Sequence, residues 1–217
     1  MQREEQKRFN QKKVALLISI FVAIWIPFLA VNQASADQEN PCDMLIIYSS
    51  GNPFKNISDM SPKEVDAVTT PTPIQNNCRN IAEQLAFALR DKNFVVRVAS
   101  AIDIKHRNEI LRARLVVLGS PARFWNVSWQ MKKLFDVQFA QIYVSEGRLR
   151  KKRIAAFSMA EIDASARAAL KAIKAVVADC KGQFGPTMTY LTKHSKKEVR
   201  KRINRFADKL AAAVKYH

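Results

Sequence analysis

At 217 residues and 48% hydrophobic, the chain has the composition of a globular protein and can bury the core of one ordinary domain plus a terminal extension. Its formal charge of +17 calls for anionic lipid, nucleic acid or an acidic protein as partner, or else is carried as a basic, soluble surface. Cys42, Cys78 and Cys180 form no CxxC pair and no metal-ligand spacing, and their odd number excludes complete pairing within one chain.

Residues 1–13 are polar and basic, with Arg3, Lys7, Arg8, Lys12 and Lys13 against Glu4 and Glu5. From Val14 to Val31 the chain is apolar, interrupted only by Ser19 and Pro27, and Ala34-Ser35-Ala36 follows as a small-x-small site of the kind signal peptidase cuts. Two readings of residues 1–36 stand: a cleaved signal peptide, or an uncleaved N-terminal membrane anchor. Both put the positive flank in the cytoplasm and the following domain on the extracytoplasmic side, membrane-anchored or secreted (periplasmic).

Met44 to Tyr48 predicts a first buried strand, ended by Ser49-Ser50-Gly51-Asn52. A long insertion, 51–74, rich in Pro and Thr, separates it from the first helix, whose apolar positions are Ile81, Leu85 and Leu89, with Asn76 or Asn77 as cap. Cys78 lies in its first turn, where a thiolate is favoured, although a buried, inert thiol is the commoner state. Phe94 to Val98 predicts a second strand, and a short helix ending at Leu111 follows. Leu115 to Leu118 predicts a third strand, stopped by Gly119 and Pro121; the helix after it carries Met131, Leu134 and Phe135 on one side and ends near Phe139. Ile154 to Ser158 is the fourth strand, Ala166, Leu170, Ile173 and Val177 face one side of a helix, Met188 to Leu191 is the fifth strand, and Val199, Ile203, Phe206, Leu210 and Val214 line a last helix. Strands alternating with helices predict an α/β fold, a three-layer sandwich around a five-stranded parallel sheet, and right-handed crossovers suit the order 2-1-3-4-5.

The stretch after the third strand carries a motif: Gly119, Ser120, Pro121, Arg123, Phe124, Asn126, Gln130, Met131, Lys132 and Asp136. It resembles the second flavin loop of FMN proteins with the flavodoxin fold, above all the NAD(P)H:quinone oxidoreductase branch of the tryptophan-repressor-binding-protein type. That branch usually has Gly after the Phe; this chain has Trp125. The resemblance spans roughly residues 43–216 and implies FMN as cofactor. It places Ser120, Pro121, Ala122, Arg123, Phe124, Trp125 and Asn126 around the flavin, with Phe124 or Trp125 stacking on the ring and Trp129 packing in the core. A phosphate needs helix N-terminal N–H groups and hydroxyls, for which Ser49, Ser50, Thr70, Thr72, Asn76 and Asn77 are the candidates, although the short Ser/Thr-x-Thr-Gly-x-Thr turn of flavodoxins is absent. Ser158 and Met159 open the expected third flavin loop, which lacks the family's usual Gly and carries Glu161 and Asp163, acids that also suit a helix start.

No G-x-S-x-G, H-E-x-x-H or Walker motif is present, and His106, His194 and His217 are expected on the surface. Asn56-Ile57-Ser58 and Asn126-Val127-Ser128 are glycosylation sequons in form only. Basic clusters stand at 146–153 and 193–215; the first and the end of the last helix are placed at the amino pole of the sheet, so that much of the positive charge faces an anionic membrane surface; nucleic acid is not expected as a partner for a domain outside the cytoplasm. Two functions follow: FMN-dependent electron transfer, or an NAD(P)H/quinone-type oxidoreductase, with a quinone or redox protein as partner; and, as alternative, a non-catalytic flavodoxin-like module with a degenerate flavin site.

Overall fold

Strand residues sort by parity onto the two faces of one sheet. The computed structural model describes residues 42–49, 75–145, 149–150 and 152–215, and of 75–77 the backbone only. Within these, β1 (Met44–Tyr48), β2 (Val96–Ser100), β3 (Leu115–Pro121), β4 (Arg153–Ala160) and β5 (Gln183–Leu191) lie in the order β2-β1-β3-β4-β5, every neighbouring pair parallel. This is the order expected from the sequence. Leu45, Ile47, Val116, Leu118, Ile154 and Ala156 point to one face, and Met44, Ile46, Leu115, Val117, Ala155 and Phe157 to the other. Burial on both faces explains why β1 and β3 read as unbroken apolar runs.

On the first face lie α2 (Arg107–Arg112), α3 (Trp129–Leu134), a π-helical stretch (Phe135–Phe139), α4 (Ala140–Val144) and α5 (Asp163–Asp179). On the second lie α1 (Gln75–Arg90), through Cys78, Ile81, Leu85 and Leu89, and α6 (Lys196–Lys215), through Ile203, Phe206, Leu210 and Val214. Each such fully buried aliphatic or aromatic side chain contributes roughly 1.5–3 kcal/mol. Between them the two layers of helices leave the sheet's flanks, β2 and β5, as its only edges among the described residues.

Several boundaries differ from expectation, for physical reasons. β2 is displaced two residues, because Asn93 (φ 65°) closes α1 in a left-handed turn and Phe94 must first leave it. β3 continues through Gly119, Ser120 and Pro121, which pair with Phe157, Ser158 and Met159. Gly119 does not stop the strand; it makes room, since a Cβ there would lie 2.1 Å from the Phe157 ring. β5 begins five residues early, passing through Gly185 and Pro186. An edge strand tolerates both, and the ladder to β4 shifts register between Ile154 and Ala156. The helix after β3 runs on to Val144. Its π-helical stretch turns Phe135, Gln138 and Phe139 inward together, with the two rings edge-to-face at 5.2 Å and Gln138 Nε2 donating to the carbonyls of Ile104 and Lys105.

At the amino pole Arg114, Lys152 and Arg153 are bonded within the fold. Asp43 accepts from Val95 N (3.0 Å) and pairs with Arg114 (3.1 Å), while Arg114 and Arg153 donate to Val214 O (3.3 Å) and Ala213 O (2.8 Å), the last carbonyls of α6. Cations at a helix C-terminus meet the negative end of its dipole. Lys152 donates to Ala113 O. Because α6 runs antiparallel to the strands, its first turns, with Lys196, Lys197, Arg200 and Lys201, stand at the carboxyl pole instead. Of the cluster expected at the amino pole, Lys152 and Arg153 are thus bonded within the fold while Arg150 is exposed, and most of the charge of the last helix lies towards the other end.

The segment 1–36 and the insertion 51–74 fall outside the described residues. Among the described residues no helix is long and apolar enough to cross a membrane, and no disulfide joins Cys42, Cys78 and Cys180, the last two of which are buried. His194 is not a surface histidine. Its side chain is 7% exposed, its Nδ1 accepts from Leu191 N at 3.1 Å, and Tyr190 packs against its ring edge-to-face.

Two predictions follow from this packing. Gly119→Ala must displace the Phe157 ring and should cost about 2 kcal/mol, read as a lower urea midpoint. Phe157→Leu in the same chain should return part of the loss. Burial, aided by the Arg202 and Lys193 charges and opposed by Glu198, holds the His194 imidazole below its usual pKa. The unfolded chain then binds the extra proton first, so stability should be full above the ordinary value of about 6.5. It should fall as pH drops from there through the lowered folded value. A stability–pH series on His194→Gln should lack that slope.

Candidate functional site

Three serines lie side by side where the strands end. Ser120 is in register with Ser158, and Ser49 follows Tyr48, the partner of Gly119; all three are completely buried. Ser49 donates to Gly119 O through both its N–H (2.8 Å) and its hydroxyl (3.3 Å). A fourth serine, Ser128, joins them from the start of α3. Its hydroxyl donates to Ser49 Oγ at 2.7 Å and accepts from Met131 N at 3.4 Å as the helix N-cap, and its own N–H donates to Ser120 Oγ at 3.0 Å. The hydroxyls of Ser49 and Ser120, cofactor candidates by sequence, are thus engaged in joining β1, β3 and α3.

This network anchors both ends of a tight turn. Arg123 N donates to Asn126 O (2.8 Å) and Asn126 N to Arg123 O (2.9 Å), closing a two-residue hairpin. Its central residues, Phe124 (φ 46°) and Trp125 (φ 63°), are both left-handed, the geometry of a type I′ turn that favours Asn-Gly. The other left-handed residues, Asn93 and Lys181, each end a helix, an ordinary place for them. Two successive bulky aromatics in this region are held at a cost, typically of order 1–3 kcal/mol each. They are also displayed: Phe124 is 99% exposed and Trp125 59%. The Asn126 side chain accepts from Val127 N and shapes the exit of the turn.

Opposite the turn, β4 runs two residues past Ser158 and hands over to α5 through Glu161 and Ile162 alone. Between the two loops is a cleft of about 300 Å³, lined on one side by Ala122, Arg123, Phe124 and Trp125 and on the other by Ala160, Glu161, Ile162 and Ser165. Its walls are mainly apolar, with Arg123 and Glu161 as their charged members, and it opens at the N-terminus of α5, whose Ile162 cap residue makes no side-chain cap bond. The structure therefore brings four of the sequence candidates together. Ser158, Met159 and Pro121 are buried within the sheet below the cleft. Ser50, Thr70, Thr72 and the side chains of Asn76 and Asn77 lie outside the described residues. Ala160, Ile162 and Ser165 were missed by sequence reasoning, because Ser158 reads as a strand end; the apolar pair Met159-Ala160 beyond it was the available signal. Trp129, expected in the core, is 44% exposed.

Burial pushes the Cys78 thiol well up, and the Arg123 guanidinium works against that rise. Its charge is thus felt at the first turn of α1, where β1 delivers the chain across the reversal of strand order between β1 and β3. Crevices at such switch points are where open α/β sheets bind ligands.

No family model matches the chain's sequence and no curated protein matches it. Solved structures do match. A flavodoxin from the domain Archaea is 17% identical, with a TM-score of 0.55 over 79% of this chain and 99% of that one. Flavodoxin 1 from Bacillus cereus is 13% identical, with 0.57 over 78% and 97%. A flavodoxin, WrbA-like protein from Agrobacterium tumefaciens is 13% identical, with 0.55 over 81% and 99%. The fold is flavodoxin-like. In this flavodoxin-like sheet the cleft sits at the carboxyl ends of β3 and β4, beside the switch point.

If Ser128 is the joint of this edge, Ser128→Ala should lower stability by about 1–2 kcal/mol, the loss of an N-cap plus a buried hydroxyl left without its donor. The measurement is chemical denaturation. Ser145→Ala, whose hydroxyl makes one local bond to Ile142 O, should cost clearly less.

Proposed function

We propose that the protein binds FMN at the carboxyl edge of the sheet and transfers electrons. The observation that carries this reading is the strained pair Phe124 and Trp125, displayed at the mouth of an apolar cleft and braced by buried hydroxyls. Strain of this kind, held in place by its surroundings, clusters at functional sites. The residues fit a flat, partly polar ring. Phe124, Trp125 and Ile162 offer apolar faces, and the N–H groups of Phe124 and Trp125 have no acceptor among the described residues. Arg123 and the open N-terminus of α5 supply positive potential to the cleft. FMN, when bound, supplies the redox chemistry itself.

The chain's residues then set the terms of that chemistry. Arg123 and the α5 N-terminus favour added negative charge in the cleft, and Glu161, also on its wall, opposes it. The Arg123 charge is also felt at Cys78 in the first turn of α1, and a helix N-terminus is the kind of site where a phosphate is held. The acceptor we propose is a redox protein or a quinone. The leader pattern in residues 1–36 supports placing the domain outside the cytoplasm, at or near a membrane.

Titrating the full chain with FMN should quench flavin fluorescence with micromolar affinity, about −8 kcal/mol. Trp125→Gly should separate strain from function. It should stabilise the fold by about 1 kcal/mol while weakening FMN binding. Glu161→Gln should raise the midpoint potential of the bound flavin. No quenching at high FMN would sink the redox reading and leave a flavodoxin-like binding module.

A further inference from the structure

We propose that the groove running along the outer edge of β5, between α5 and α6, docks an extended acidic segment of a protein partner. The groove measures about 520 Å³. Its floor is apolar, formed by Leu170, Met188 and Phe206. Its rim carries Arg167, Lys201, Arg202, Arg205 and Lys209 against a single carboxylate, Glu198. Glu198 is already held by Arg202 at 3.0 Å, and Arg167 is held by Asp163. Among the described residues no ion pair engages Lys201, Arg205 or Lys209, which leaves three cations aligned beside a sheet edge.

Shape and charge together select the occupant. A strand edge with a hydrogen-bonded neighbour on one side only is a template for an extended chain. Alternate side chains of such a segment would meet the apolar floor and the basic rim. A second copy of this chain would bring like charge to the same edge and be repelled. A lipid headgroup plane is flat, and it cannot follow a concave slot between two helices. The groove and the cleft both border the start of α5: Asp163 bonds Arg167 and Thr189 and feels Arg202, and the same first turn places Ser165 on the cleft. A partner seated here would reach the mouth of the cleft. The inference rests on the groove itself, and its test needs no flavin.

The probe is a fluorescein-labelled peptide in which glutamates alternate with valine and leucine, titrated with the full chain without added FMN and followed by anisotropy. Binding should weaken with salt. The double variant Arg205→Glu, Lys209→Glu should bind at least tenfold more weakly, while Lys132→Glu, Lys133→Glu, on α3 and outside the groove, should bind like the parent. All four positions are exposed, so both variants should keep the parent's circular dichroism. Equal weakening by both pairs would overturn the proposal in favour of unspecific charge attraction. So would undiminished binding by the groove variant. Parent binding to phosphatidylglycerol–phosphatidylcholine vesicles that is lost in the groove variant, with the peptide ignored, would assign the groove to a membrane instead.

Discussion

The hydroxyl of Ser128 is the joint on which the carboxyl edge hangs. It caps α3, donates to Ser49 on β1, and sits beside Ser120 on β3, with its own N–H on that serine's oxygen. A buried hydroxyl without partners costs free energy, whereas a satisfied one fixes geometry. Here the satisfied set ties β3 and α3 to β1, with Ser49 and Ser128 79 positions apart, and fixes where the chain must leave β3 and where it must enter α3. Only a tight hairpin spans that gap, and the hairpin forces Phe124 and Trp125 into left-handed backbone. The exposed aromatics are thus the far end of a chain of constraints that starts in the core.

How much of this the sequence reveals depends on how local the cause is. β1 and β3 are legible because strands buried on both faces need apolar residues at every position. The long helices are legible because Ile81, Leu85 and Leu89, or Ile203, Phe206 and Leu210, return to one side every third or fourth residue. β2 and β5 are blurred because edge strands are less apolar and admit Gly185 and Pro186. The π-helical stretch leaves no trace, since it adds one residue to a pattern that otherwise looks helical.

At the site, the motif from Gly119 to Asn126 points to the right loop, but not to the fate of its hydroxyls. Whether Ser49 faces a ligand or Ser128 depends on a residue 79 positions away, and no spacing rule encodes that. The turn runs against local preference, so propensity alone hides it; conflicts of this kind are expected where function overrides folding. Charge behaved similarly. A run of lysines and arginines in α6 says nothing of direction until the helix is laid antiparallel to the strands. Then its carboxyl-terminal carbonyls take up Arg114 and Arg153, and most of its own cations lie towards the opposite pole.

The depth of β3 in the sheet has a dynamic consequence. Val116, Val117 and Leu118 have strand neighbours on both sides and helices on both faces, so their amide protons exchange with solvent only when the whole sheet opens. The hairpin three residues beyond β3 hangs on two backbone hydrogen bonds and is largely solvated. Its protons exchange through small, frequent openings that leave the sheet intact. Rigidity and compliance are therefore separated by a few residues of one continuous chain, and the rim of the cleft can adjust to what enters it while its foundation stays fixed.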